Sequence, residues 1–89
     1  MAATFTLAIL TPEKTVFEGP VEYVEVPGSE GYLGVLAQHA PLVTGIAAGT
    51  LTVRKADGVT EKIGVSGGFF EVSDNRATVL ADSVEMAKG

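Results

Sequence analysis

Apolar residues in this chain recur at every second position over short runs, and glycines, prolines and Asp/Asn clusters end each run early. Phe5, Leu7 and Ile9 fall on one side and Thr4, Thr6 and Ala8 on the other. Leu51 and Val53 alternate with Thr50, Thr52 and Arg54, and Val59, Ile63 and Val65 with Thr60 and Lys62. A period of two puts neighbours on opposite faces, so each segment reads as a half-buried β-strand. Asp57-Gly58, between the last two segments, is a hairpin signal because both residue types tolerate positive φ. Phe69 to Val72 and Ala77 to Ala81 make another strand pair around Ser73-Asp74-Asn75-Arg76. The pattern predicts an all-β fold, a small two-sheet β-sandwich of about eight to ten short strands. It is expected over residues 1–82, with 83–89 as a tail whose Ser83 to Lys88 carries the chain's one weak helical stripe. Val21 to Val26 is ambiguous: Val24 and Val26 share one face, Val21 and Tyr23 the other. Whichever pair points outward is a candidate for burial against another protein.

Eighty-nine residues, 46% of them hydrophobic, suffice for one domain with a single modest core. Eleven acidic against six basic side chains give a net charge of −5, the wrong sign for a phosphate-binding face, so no nucleic-acid partner is expected. Without cysteine the chain has neither disulfides nor thiolate chemistry. MAATFTLAIL has no basic start, long apolar stretch or cleavage site, and no apolar run reaches membrane-span length. Membrane association is therefore expected only through a partner. Five acids (Glu13, Glu18, Glu22, Glu25, Glu30) lie in the first thirty residues, offset there by Lys14 alone. They read as a solvated face or as a rim that meets basic loops of a partner.

Three motifs suggest chemistry and fail on context. Gly64-Val65-Ser66-Gly67-Gly68 matches G-x-S-x-G, but a nucleophile elbow needs a helix after the serine and a histidine later in the chain. Phe69-Phe70-Glu71-Val72, directly after the motif, is strand-like, and the sole histidine, His39, precedes the serine. A glycine bend between two strands accounts for the match. His39 has no second histidine or cysteine to complete a zinc site, so no metal is expected. It reads either as a loop residue bonded to backbone or as a contact to another subunit. Gly28, Gly31 and Gly34 fit neither phosphate-loop spacing and precede no helix, so no nucleotide cofactor is expected. Gly28 and Gly31 read instead as a tight turn around Ser29-Glu30 that exploits positive φ.

Gly28 to Leu42, GSEGYLGVLAQHAPL, resembles the N-terminal β-sandwich of the epsilon subunit of F-type ATP synthases, with its GSEGxLG turn and HAPL stretch. TPEKTVFEGPVEYVEVPG (Thr11 to Gly28) and VSGGFFEVSDNRATVLAD (Val65 to Asp82) are similar to the flanking strands. The family continues into a C-terminal helical hairpin that these 89 residues do not contain, so a short member or part of a longer one is expected. The resemblance implies a rotor component without chemistry or cofactor. It would bind the gamma subunit and the polar loops of the c-ring, and couple proton-driven rotation to the catalytic head. Its location would be peripheral, on the cytoplasmic side of the bacterial inner membrane. Ser29, Glu30 and Gly31 would lie at the c-ring end, with Glu30 the charged contact. Some members are acidic where this chain has Tyr32, which turns an ionic contact there into an aromatic one. His39, Ala40, Pro41 and Leu42 would lie near gamma, and Gly67-Gly68 would form the bend before Phe69. The family's inhibition of hydrolysis and its ATP sensing belong to the helices. The competing reading is a free-standing β-sandwich ligand-binding module. With no tryptophan, only Tyr23 and Tyr32 could stack on a sugar.

Overall fold

The computed structural model describes residues 3–86. Nine strands run in order β1 (Phe5–Leu10), β2 (Thr15–Gly28), β3 (Gly31–Leu36), β4 (Leu42–Ile46), β5 (Gly49–Lys55), β6 (Thr60–Val65), β7 (Gly68–Ser73), β8 (Arg76–Ala81) and β9 (Val84–Met86). The fourteen-residue β2 belongs to both layers of the sandwich. Its first half pairs with β1, and its second half lies between β3 and β5. One layer is therefore β4-β7-β8-β1-β2 and the other β3-β2-β5-β6-β9, joined through β2. Every pairing is antiparallel except β1 with β8.

Alternation places the side chains expected of β1, β5 and β6 inside, and the same period sets the inward faces of β7 and β8, which the sequence identified only as a strand pair. Phe5, Leu7, Ile9, Leu51, Val53, Ile63, Val65, Phe70, Val72, Ala77 and Val79 are all buried, and no polar or charged side chain among the described residues is buried with them. The core is held by apolar burial alone. The ambiguity at Val21 to Val26 resolves against both outward pairings, because Val21, Val24 and Val26 are all fully buried. The β2–β5 register slips between Val21 and Tyr23. A bulge there changes the inward parity midway along the strand. Of the proposed outward residues only Tyr23 keeps partial exposure.

Two other expectations change. The helical stripe from Ser83 is extended over its described part, where Val84–Met86 forms β9 along β6. Strand pairing thus continues past Asp82, while Lys88 lies outside the described residues. Val59 precedes β6 and is exposed. Its N–H donates to Asp57 Oδ1 at 2.9 Å within the hairpin turn, where Gly58 supplies the positive φ of 88°.

Candidate subunit interface

Ser29 and Glu30 are the exposed tip of the β2–β3 hairpin, closed where Gly28 faces Gly31. The two glycines serve different ends. Gly31 takes a φ of 127°, as the turn predicted. Gly28 does not, but a Cβ there would stand 2.8 Å from the Gly31 carbonyl oxygen and 3.1 Å from Leu33, so close approach rather than φ selects it. The tip is tied to β4: Ser29 N–H donates to the Gly45 carbonyl at 3.0 Å, and Ala47 N–H to that of Pro27 at 2.8 Å. Tyr32 braces it from the other side. Its hydroxyl accepts the Thr50 N–H at 3.2 Å and lies where a Cβ on Gly49 would meet it at 2.8 Å.

His39, Ala40, Pro41 and Leu42 form the loop from β3 into β4, with Ala40 and Pro41 exposed and His39 and Leu42 half-buried. His39 Nδ1 donates to the Ala40 carbonyl at 2.7 Å, the backbone-bonded arrangement anticipated for a loop histidine. The two predicted elements are not brought together. They sit at opposite ends of β4, separated by about 13 Å of strand at ~3.3 Å per residue.

At the turn-tip end of β4 the outer face of the first layer carries a feature that period-two reading missed. Cross-strand register aligns Gly45 with Phe69, Phe69 with Leu80, and Leu80 with Leu10. Phe69 is 61% exposed and Leu80 49%, and Val43, one pleat from Gly45 on the same face, is 68% exposed. Leu10, Pro12, Phe69 and Leu80 border a shallow apolar depression. A Cβ on Gly45 would touch the Ser29 side chain at 3.7 Å, so the turn tip borders this row at one end. The adjacent Phe69-Phe70 pair is the available sequence signal, since a strand must turn one of the two outward.

The other layer's outer face is mixed: Leu36, paired with Tyr23, is 62% exposed and Tyr32 57%, among polar and charged neighbours. Arg54 lies 5.8 Å from the centroid of the Tyr23 ring, and the Tyr23 hydroxyl donates to Glu25 at 3.5 Å. Burial and then the neighbouring Glu25 carboxylate push the Tyr23 phenol above its ordinary value. The five early acids do not gather on one face. Glu18 contacts Arg76 at 3.8 Å on the first layer, Glu22 sits at the bulge, Glu25 faces outward on the second layer, Glu30 is at the tip and Glu13 is in the β1–β2 turn.

The G-x-S-x-G serine has no elbow geometry. Ser66 lies between β6 and β7 with its Oγ 2.6 Å from Ser83 Oγ. The register of Gly68 with Ile46 places it at the opposite end of β4 from His39. No three His, Asp or Glu side chains gather as a metal site among the described residues.

This β-sandwich matches the family model for the ATP synthase delta/epsilon chain β-sandwich domain over residues 4–87. The chain belongs to that family. It is 51% identical over 87 residues to the ATP synthase epsilon chain of Desulforamulus reducens, covering 98% of this chain and 65% of the relative. Against the epsilon chain of Desulfitobacterium hafniense it is 47% identical over 85 residues, covering 96% and 64%. The chain thus spans somewhat less than two thirds of the length of these epsilon chains. A chain in the cryo-EM structure of the Euglena gracilis mitochondrial ATP synthase, OSCP/F1/c-ring, superposes with a TM-score of 0.89 at 26% identity, over 97% of this chain and 55% of that one.

Proposed function

We propose that this epsilon-family domain is a non-catalytic central-stalk subunit of a proton-translocating F-type ATP synthase. It binds gamma and the c-ring and couples proton transport to ATP synthesis. The observation that carries the reading is the apolar row of exposed Phe69 and Leu80 with half-buried Leu10, and exposed Val43 beside it, on a domain of this family. Exposed aromatic and aliphatic side chains in a continuous patch mark a surface that is covered in assembly.

In this reading His39 to Leu42 and the apolar row face gamma, and the Ser29-Glu30-Gly31 tip faces the polar loops of the ring. Their separation along β4 lets one rigid domain meet two partners at once. Tyr32, bonded back to β5, acts as a brace for the tip. The domain is peripheral on the cytoplasmic side of a bacterial inner membrane and reaches the bilayer only through the complex. The test is co-elution of the chain with its cognate gamma subunit at low and moderate salt. A one-to-one complex that persists at moderate salt supports an apolar interface, and no complex with folded gamma refutes the reading.

A further inference from the structure

Asn75 joins three segments that are distant in sequence. With Asp74 at φ 53° and Asn75 at φ 60°, the β7–β8 connection has the two left-handed residues of a type I′ hairpin turn. The Asn75 side chain then works outside its own turn. Its Oδ1 accepts the N–H of Gln38, 37 positions away, at 2.8 Å, and its Nδ2 donates to the Thr4 carbonyl at 3.1 Å. Its own carbonyl accepts the Thr6 N–H at 3.2 Å. Gln38 itself has a φ of 65°, a left-handed conformation that a glutamine seldom adopts without support.

We infer that Asn75 is a positioning residue for the β3–β4 loop. Its carboxamide holds Gln38 left-handed and so sets the direction in which the chain leaves toward His39, Ala40, Pro41 and Leu42. The carboxamide suits the task because it presents an acceptor to an N–H and a donor to a C=O at once. A loop fixed before its partner arrives avoids the ordering cost of binding. The inference rests on the reading that this loop meets gamma.

Asn75→Gly tests it, since glycine keeps the positive φ of the turn and removes both side-chain bonds. In this variant, hydrogen exchange of the Gln38 amide should rise about fivefold, the factor one net hydrogen bond of ordinary strength confers. Affinity for gamma should fall by at most that factor, in proportion to the ordered fraction of loops that is lost. Asn75→Asp keeps the acceptor and should retain Gln38 protection. Unchanged exchange at Gln38 in Asn75→Gly, or loss of protection in Asn75→Asp equal to that in Asn75→Gly, overturns the inference. Faster exchange with unchanged gamma affinity overturns the loop's part in recognition. If the unsubstituted chain fails to bind gamma, the assembly reading falls and exchange alone decides whether Asn75 holds the loop.

Discussion

Gly68 begins β7 at φ 130°, and a Cβ there would stand inside the van der Waals shell of the Leu80 carbonyl oxygen and 2.9 Å from Ala81 Cα. Both neighbours are backbone of β8, opposite Gly68 in the ladder, so no rotamer change relieves the clash. Gly68→Ala must bear the left-handed backbone, about 1–3 kcal/mol, and must also part β7 from β8 at the point where Phe70 enters the core. Losing one or two ladder bonds there adds about 1–3 kcal/mol, for a total of about 2–6 kcal/mol. Stability for this length is about 4–13 kcal/mol, so a large share of it goes, and the midpoint of thermal unfolding should drop by at least about 8 °C at ~4 °C per kcal/mol. Gly58→Ala is the control: its φ is 88° but nothing lies within 4 Å of the added Cβ, so it carries only the backbone cost, about 1–2 kcal/mol. Urea unfolding of the two variants separates the contact from the φ. Equal losses in both would refute the steric reasoning.

Phe69→Asp should leave urea stability within about 1 kcal/mol, as surface changes do, while abolishing co-elution with gamma; loss of folding would instead place Phe69 in the core. Glu30→Lys should lower coupling of proton transport to ATP synthesis in a reconstituted complex with little change in the domain's melting temperature, and unchanged coupling would remove Glu30 from the ring contact. Tyr32→Phe withdraws the acceptor of the Thr50 N–H, an exposed bond that water can replace, and should cost about 0.5 kcal/mol while raising hydrogen exchange at Thr50. The Tyr23 phenol should ionise above its ordinary value in an ultraviolet titration, because burial and then Glu25 disfavour its anion. Its folded pKa being raised, its contribution to stability is complete below an unfolded value of about 10 and is lost as pH climbs through the folded value. Tyr23→Phe should flatten that alkaline slope.

Strands that bury one face and wet the other were legible: the inward sets of β1, β5 and β6 come from alternation at Phe5-Leu7-Ile9, Leu51-Val53 and Ile63-Val65. Alternation failed at Val21 to Val26 because a bulge shifts the parity, and the register slip that makes it depends on pairing with β5. Three residues of β9 are too few for any period, and their state is decided by β6. The candidate turn and loop were located through family resemblance, yet what holds them was hidden. Gly34 leaves room for the Tyr23 ring, whose hydroxyl would lie 2.7 Å from a Cβ there. The bond from Gln38 to Asn75 joins two loops that nothing local connects. The apolar row was equally hidden, because Leu10, Phe69 and Leu80 become neighbours only through the β1–β8 and β7–β8 registers.

Adjacent phenylalanines show how the domain divides its apolar residues. Phe70 is fully buried and stabilises the fold, whereas Phe69, mostly exposed, contributes little until something covers it. Phe69, Leu80 and Val43 are 61%, 49% and 68% exposed, so covering them against a partner would yield about 3–5 kcal/mol at ~1.5–3 kcal/mol per fully buried side chain. Association costs about 4–15 kcal/mol in lost freedom and ordering, so the row alone cannot hold a tight complex. In the proposed assembly, contacts from the His39 loop would supply the remainder, and at least cost when the loop is already ordered. Asn75 and the apolar row do not touch, so in the proposed assembly their contributions should add: Asn75→Gly should weaken gamma binding by the same factor in Leu80→Ala as in the unsubstituted chain, and a larger loss in the double variant would refute their independence.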